Sequence, residues 1–208
     1  MARRLSAQER RQQLIRVGRK VFATKGFDGT SVEEIARRAK VSKPIVYEHF
    51  GGKEGLYAVV VDRSMSDLTE RILGAIKEGE PRQRLEAAAL AFMMWVQAEP
   101  DSFMVLLRDQ PSSRAGGMAG LMHDLADPVS AVFADEFAEN GYDRRLAPMY
   151  ARVLVGMVAF AGEWWLESRR PPPPEVVAAH VSALAWMGLR HLPEKPTPLD
   201  PAEANETE

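Results

Sequence analysis

The stretch VSKPIVYEHFGGKEGLY, residues 41–57, crowds hydrogen-bond donors around two adjacent glycines. Ser42, Lys43, Tyr47, His49 and Lys53 bring hydroxyl, ammonium, phenol and imidazole groups into one short segment. Gly51-Gly52 lets the backbone turn sharply, and a helix starting at Lys53 presents free N–H groups and a positive dipole end suited to a phosphate. The chemistry this favours is holding a polyanion. Catalysis is disfavoured, because no nucleophile–base pair and no phosphate-binding glycine loop occurs in the chain. His49, His123, His180 and His191 are too scattered to form a metal set. The reading is therefore no enzyme, no metal and no cofactor.

Helices must position these groups. Residues 8–25 place Leu14, Val17, Gly18, Val21 and Phe22 on one stripe, with Gly26 as the stop. Ser31-Val32-Glu33-Glu34 reads as a capping box opening a helix with Val32, Ile35, Ala36 and Ala39 inward. After the turn at Lys40-Val41, Ser42 caps a second short helix. Val46 and Phe50 share its inner face, while Lys43, Pro44, Tyr47 and Glu48 point elsewhere. Two short helices joined by a tight turn make a helix-turn-helix, whose second helix enters the DNA major groove.

A long helix is expected from Lys53 to about Lys77, then helices over 81–98, 101–110, 118–139, 144–169 and 174–192. No segment alternates like a strand. The fold class is all-α with about nine helices. The proline-rich, acidic segment 193–208 is expected to be a disordered tail.

Composition agrees. The 208 residues are 46% hydrophobic and 27% charged, with no cysteine, which excludes disulfides and thiolate metal sites. No apolar run reaches the ~18 residues of a membrane span. Residues 1–57 carry 13 Lys/Arg against 6 Asp/Glu, a net of +7, while the rest carries a net of −9. A basic front on an acidic body suits a polyanion docking at one end.

The order GTSVEEIARRAKVSKPIVYEHFGGKEGLY, preceded by FATKGF, resembles the DNA-binding domain of the tetracycline-repressor (TetR) family of bacterial transcriptional regulators. The resemblance covers residues 8–68, with the helix-turn-helix at about 31–50. Beyond residue 68 only helix number, length and order are similar. It implies an all-α homodimer with a three-helix DNA-binding domain at 8–68 and a helical effector-binding and dimerisation domain at 69–192. It also implies that Thr30, Ser42, Tyr47, His49 and Lys53 hold operator phosphates. Lys43, Pro44 and Ile45 then lie nearer the base edges. A lysine can donate to guanine, and Pro44 or Ile45 can touch a thymine methyl. Ile45 and Glu48 depart from the family pattern. Glu48 either accepts from a cytosine amine or faces solvent.

In the second domain, Trp95, Phe103, Met104, Leu107, Met122, Phe133, Phe137, Met157, Phe160 and Trp164 are candidate effector-pocket residues; the competing reading is plain core. Tyr150, Val153, Leu154 and Ala161 recur along one helix face, and Val177, His180, Val181, Leu184 and Gly188 along another, as a candidate dimer interface. The functional expectation is a cytoplasmic, nucleoid-associated bacterial repressor. It would bind a palindromic double-stranded operator as a homodimer, with no membrane partner, and leave it when a small, largely apolar effector binds. The alternatives are an architectural DNA binder without effector, an activator and, least favoured, an enzyme using the apolar cavity.

Overall fold

The computed structural model describes residues 5–108, 117–139 and 141–191. Within these, side chains of residues 117–122, 132, 135 and 136 are not described. The expected tail at 193–208 and most of the 111–117 connector lie outside the described residues.

The first three helices form a small head. α1 (Ala7–Lys25) begins at Ser6, whose hydroxyl accepts from the Glu9 amide at 3.2 Å while the Glu9 carboxylate accepts from the Ser6 amide at 2.8 Å. This reciprocal cap starts the helix slightly before residue 8. Gly26 ends it at φ 71°, and Phe27 folds back to stack on Phe22 with ring centroids 6.4 Å apart. α2 (Val32–Ala39) is capped by Ser31, which accepts from the Glu34 amide at 3.2 Å. The expected box is half made. The Glu34 carboxylate turns instead to Lys25 at 2.7 Å and Arg38 at 2.8 Å. Lys25 chiefly holds that carboxyl below its ordinary value of 4.5. α3 (Lys43–Phe50) follows, and here Ser42 sits at the cap position without a side-chain cap bond.

α4 (Lys53–Ala75) leaves the head and enters a helical body. The body holds α5 (Pro81–Ala98), α6 (Pro100–Leu107), α7 (Gly117–Glu139), a 3-10 turn at Arg144–Leu146, α8 (Ala147–Glu167) and α9 (Pro174–Arg190). Nine α-helices are thus present among the described residues, with no strand. Element ends shift from the expectation by a few residues, as terminal turns commonly do.

Two cores hold the molecule. Leu14, Phe22, Ile35, Ala39, Val46 and Leu56 are fully buried in the head. Leu68, Phe92, Met93, Trp95, Phe103 and Leu106 are fully buried in the body. Each Leu, Ile, Val, Met or Phe side chain among them contributes about 1.5–3 kcal/mol by leaving water. α4 serves both cores, with Leu56 and Val60 in the head and Leu68 and Ile72 in the body. So does α6, where Val105 joins the head core and Phe103 and Leu106 join the body.

The α3–α4 corner is tight. Gly51 (φ 73°) and Gly52 (φ 140°) take positive φ, which side chains disfavour. At Gly55 an added Cβ would stand 1.9 Å from the Phe50 carbonyl oxygen, so only glycine fits there. Gly55→Ala should force this corner apart and destabilise the protein by about 1–3 kcal/mol. Chemical denaturation measures the loss, and an unchanged midpoint would refute the close approach.

Candidate DNA-binding face and effector cavity

α3 is an eight-residue helix, too short to be stable alone, and its inner side holds it in place. Val46 is fully buried in the head core, and Val41, Ile45 and Phe50 pack partly against that core. The outer side stays open. Ser42, Lys43, Pro44, Tyr47 and Glu48 are all exposed, with Tyr47 at 54%. Pro44 lies in the first turn, where its missing N–H leaves no helical bond unmade. Lys43 pairs with Glu33 on α2, and this lysine chiefly holds the Glu33 carboxyl below its ordinary value. The Ser42 hydroxyl, unused as a cap, is exposed at the start of the helix. His49 is half-buried, its ring tilted against Phe50 at 6.2 Å.

Three expected DNA contacts are placed otherwise. Thr30 is 4% exposed, and its hydroxyl donates to the Gly26 carbonyl at 2.6 Å, so it braces the α1–α2 loop. Ile45 leans on the head core, which draws much of it away from the outer face. The Lys53 ammonium donates to the Phe27 carbonyl at 3.1 Å and stands 4.0 Å from the Phe27 ring centroid. One of the ammonium's three N–H donors is thereby engaged. The α4 N-terminus behind it has no side-chain cap.

In the body an apolar cavity of about 870 Å³, including its part open to solvent, lies between α4, α5, α7, α8 and α9. Ile72, Ile76, Leu85, Phe92, Leu125, Val129, Phe133, Val155, Val158, Ala185 and Trp186 line it. Arg84 and Ser182 are its polar lining, and the Ser182 hydroxyl donates to the Ala179 carbonyl at 3.2 Å.

Of the expected pocket residues, Phe133 is there and most of the others are elsewhere. Trp95 and Phe103 are fully buried core, with the Trp95 indole donating to Asp67 at 2.7 Å. Leu107 packs on the body core, and Met104 packs on the head. Phe137 packs against Phe133, Tyr142 and Tyr150. Met157 is half-buried and does not line the cavity, while Phe160 and Trp164 are 58% and 53% exposed on the outer side of α8. The Met122 side chain lies outside the described residues.

The expected dimer face needs a matching correction. Leu154 and Val181 line the cavity, and Val177 is buried in the body core. Tyr150 and Ala161 are half-buried. Val153, His180, Leu184 and Gly188 are exposed. With them stand Met149, Phe160, Trp164, Val176 and Met187, an apolar outer surface spread over α8 and α9. Trp164 and Met187 continue the stripes of Val153 and His180 at helical spacing, Met149 and Val176 extend them by one turn, and Phe160 stands two turns beyond Val153 on the same side. Trp165 donates to the Pro172 carbonyl at 2.7 Å and pins the proline connector.

The segment Arg144–Glu167 is long and apolar enough to cross a membrane by length and composition. In the structure one side of it, including Ala151, Val155 and Ala159, packs into the body core. Among the described residues no group of three His, Asp or Glu stands together as a metal site.

Residues 14–60 match the family described as bacterial regulatory proteins, tetR family, and residues 71–198 match the tetracyclin repressor-like C-terminal domain. The HTH-type transcriptional activator FasR of Mycolicibacterium smegmatis is 30% identical over 91% of this chain and 87% of its own. A TetR-like regulator from Rhodococcus sp. RHA1 superposes with a TM-score of 0.68 at 26% identity, over 91% of this chain and 100% of that one. AibR, solved with isovaleryl coenzyme A and operator DNA, superposes at 0.67 with 20% identity, over 85% of this chain and 97% of that one. The two-part match across head and body, carried by the helix-turn-helix, shows that the chain belongs to the TetR family of transcriptional regulators and is not an enzyme.

Proposed function

We propose that the chain is a homodimeric operator-binding regulator whose DNA affinity falls when an apolar effector fills the body cavity. The observation that carries this is the position of the cavity. Ile72 and Ile76, at the far end of α4, line it, while the near end of α4 begins beside the reading helix. A ligand that favours one tilt of α4 therefore acts on the heads. It can do so only by binding the two arrangements unequally. The lining suits an acyl or aromatic group, with Arg84 beside its polar end. That AibR was solved with an acyl coenzyme A supports the same ligand class.

The outer surface of α8 and α9 supports the dimer. Exposed Phe160, Trp164 and Leu184 would be covered by their copies across a two-fold axis. Such a dimer sets two reading helices about 34–36 Å apart on a palindromic duplex, placing the protein on the nucleoid. Tyr47, Ser42, His49 and Lys53 contact phosphates. Lys43 and Pro44 meet base edges, and Ile45 contributes its exposed fraction. Release from DNA would make the protein a repressor. The similarity to FasR, an activator, favours a second reading in which operator binding recruits transcription. A promoter–reporter assay with and without the gene separates the two signs.

The operator is obtained by selecting bound sequences from random duplexes, and inverted half-sites are expected. On that operator, Tyr47→Ala should weaken binding about 10-fold or more and leave the unfolding midpoint unchanged, because the ring is exposed. Lys43→Ala should relax sequence preference in the half-site rather than weaken all duplexes equally. Binding unchanged in both variants removes α3 as the reader.

Ala185→Met, which lengthens a side chain lining the cavity, should abolish the effector's influence while operator affinity stays within a few-fold. Fluorescence anisotropy with rising fatty acyl or aromatic ligand tests this, and a retained response would place the effector elsewhere. Leu184→Glu should convert the dimer to monomers in analytical ultracentrifugation and reduce operator binding at least 100-fold. A dimer that persists would move the interface to another surface.

A further inference from the structure

A second cleft, unrelated to the apolar cavity, lies at the junction of head and body. Its walls are α1, the middle of α4 and the α5–α6 corner, and it spans about 810 Å³ including the part open to solvent. Four arginines line it, Arg16 and Arg19 from α1 and Arg63 and Arg71 from α4, against the carboxylates of Asp67 and Glu99. Both acids are already engaged. Glu99 accepts from Arg19 at 2.5 Å, and Asp67 accepts from Arg71 at 3.1 Å as well as from the Trp95 indole. The Arg63 guanidinium meets the neutral Gln12 amide oxygen at 2.6 Å. Arg16 forms no hydrogen bond or ion pair with a described residue, and the Arg19 Nε is buried with no partner.

The lining therefore holds two positive charges more than its acids neutralise, in a concave wall built from three separate elements. Cations gathered in a cleft repel one another and focus a positive field on whatever enters. Guanidinium forks match phosphoryl oxygens in a bidentate geometry that a halide cannot offer, and a dianion answers the two surplus charges where a single carboxylate answers one. Distance along α4 separates the cleft from the operator face. Arg63 and Arg71 lie about 15 and 27 Å beyond Lys53 at 1.5 Å per residue.

We propose that this cleft binds a small phosphoryl dianion, such as a phosphate monoester or a diphosphate group, between α1 and α4. Arg16 and Arg63 supply the uncompensated charge. Arg19, whose buried Nε lacks a partner, shares its guanidinium between the anion and Glu99. A bound anion thus competes with an ion pair that joins head to body.

Isothermal titration of the full-length protein with sodium pyrophosphate, at constant ionic strength and without DNA, tests the site. One saturable binding event per protomer is expected. The exposed pair Arg16→Ala/Arg63→Ala should weaken it about 10-fold or more, and Arg63→Lys by an intermediate amount, since it keeps charge and loses the fork. Lys43→Ala, on the reading helix, should leave it unchanged. Circular dichroism melts that match the parent show that the variants fold; should the double variant melt early, Arg63→Lys carries the comparison. Absence of saturable binding in the parent, or equal binding in the arginine variants, overturns the proposal. Loss of binding in Lys43→Ala also overturns it and assigns the anion to the DNA-reading face.

Discussion

The molecule depends on α4 being one rod fixed at both ends. Between Leu56 and Leu73 it contains neither glycine nor proline, so nothing interrupts its hydrogen-bond ladder. Leu56, Tyr57 and Val60 lock its first turns into the head core, and Leu68 and Ile72 lock its later turns into the body core. A helix of 23 residues spans about 35 Å, so a small tilt at one end becomes a displacement at the other. The close approach at Gly55 and the two positive-φ glycines fix how the rod meets α3. Closely packed interiors switch between arrangements rather than deform gradually, which is what the proposed signal between cavity and α3 would require.

The rod is not alone in joining the two units. α6 places Val105 in the head and Phe103 and Leu106 in the body, although it has only eight residues. Around it, Arg19 reaches Glu99 and Ser102, and Arg108 donates to the Thr24 carbonyl at 3.3 Å. The apolar contacts resist separation of head and body. The polar ones are partly exposed, so each contributes little stability but is easily exchanged. A joint with a firm apolar hinge and exchangeable polar ties can take more than one setting without coming apart.

The head was legible in the sequence because local rules decide it. Gly26, Ser31, Lys40 and Gly51 mark boundaries of α1, α2 and α3, and inward Ile35, Ala39 and Val46 could be read from spacing alone. Inside that frame, side chains misled where partners were tertiary. Thr30 and Lys53 bond to carbonyls of the α1–α2 loop, which no linear pattern reveals. The body was legible only as a set of helices. α8 is apolar on nearly every side, so periodicity found its stripes without saying which one faces inward. Hence Leu154 and Val181 exchanged places with Phe160 and Trp164 between cavity and outer surface. Aromatic content was also a poor guide, because large rings such as Trp95 and Phe103 fill the core while the cavity is lined mainly by aliphatic side chains.

In the proposed dimer, that outer surface would bear on DNA recognition as directly as Tyr47. An eight-residue helix with three or four outward side chains reads only a few base pairs, each worth about 1–3 kcal/mol of discrimination. One head therefore cannot separate its site from the excess of competing genomic sequence. Joining two heads rigidly makes the second half-site an intramolecular event and squares the selectivity without a new base contact. The joining surface must then be stiff, since wobble between copies would blur the half-site spacing. Bulky Phe160, Trp164 and Leu184 on α8 and α9 are suited to that, because their opposite faces, at Ala159 and Ala178, are packed in the body core.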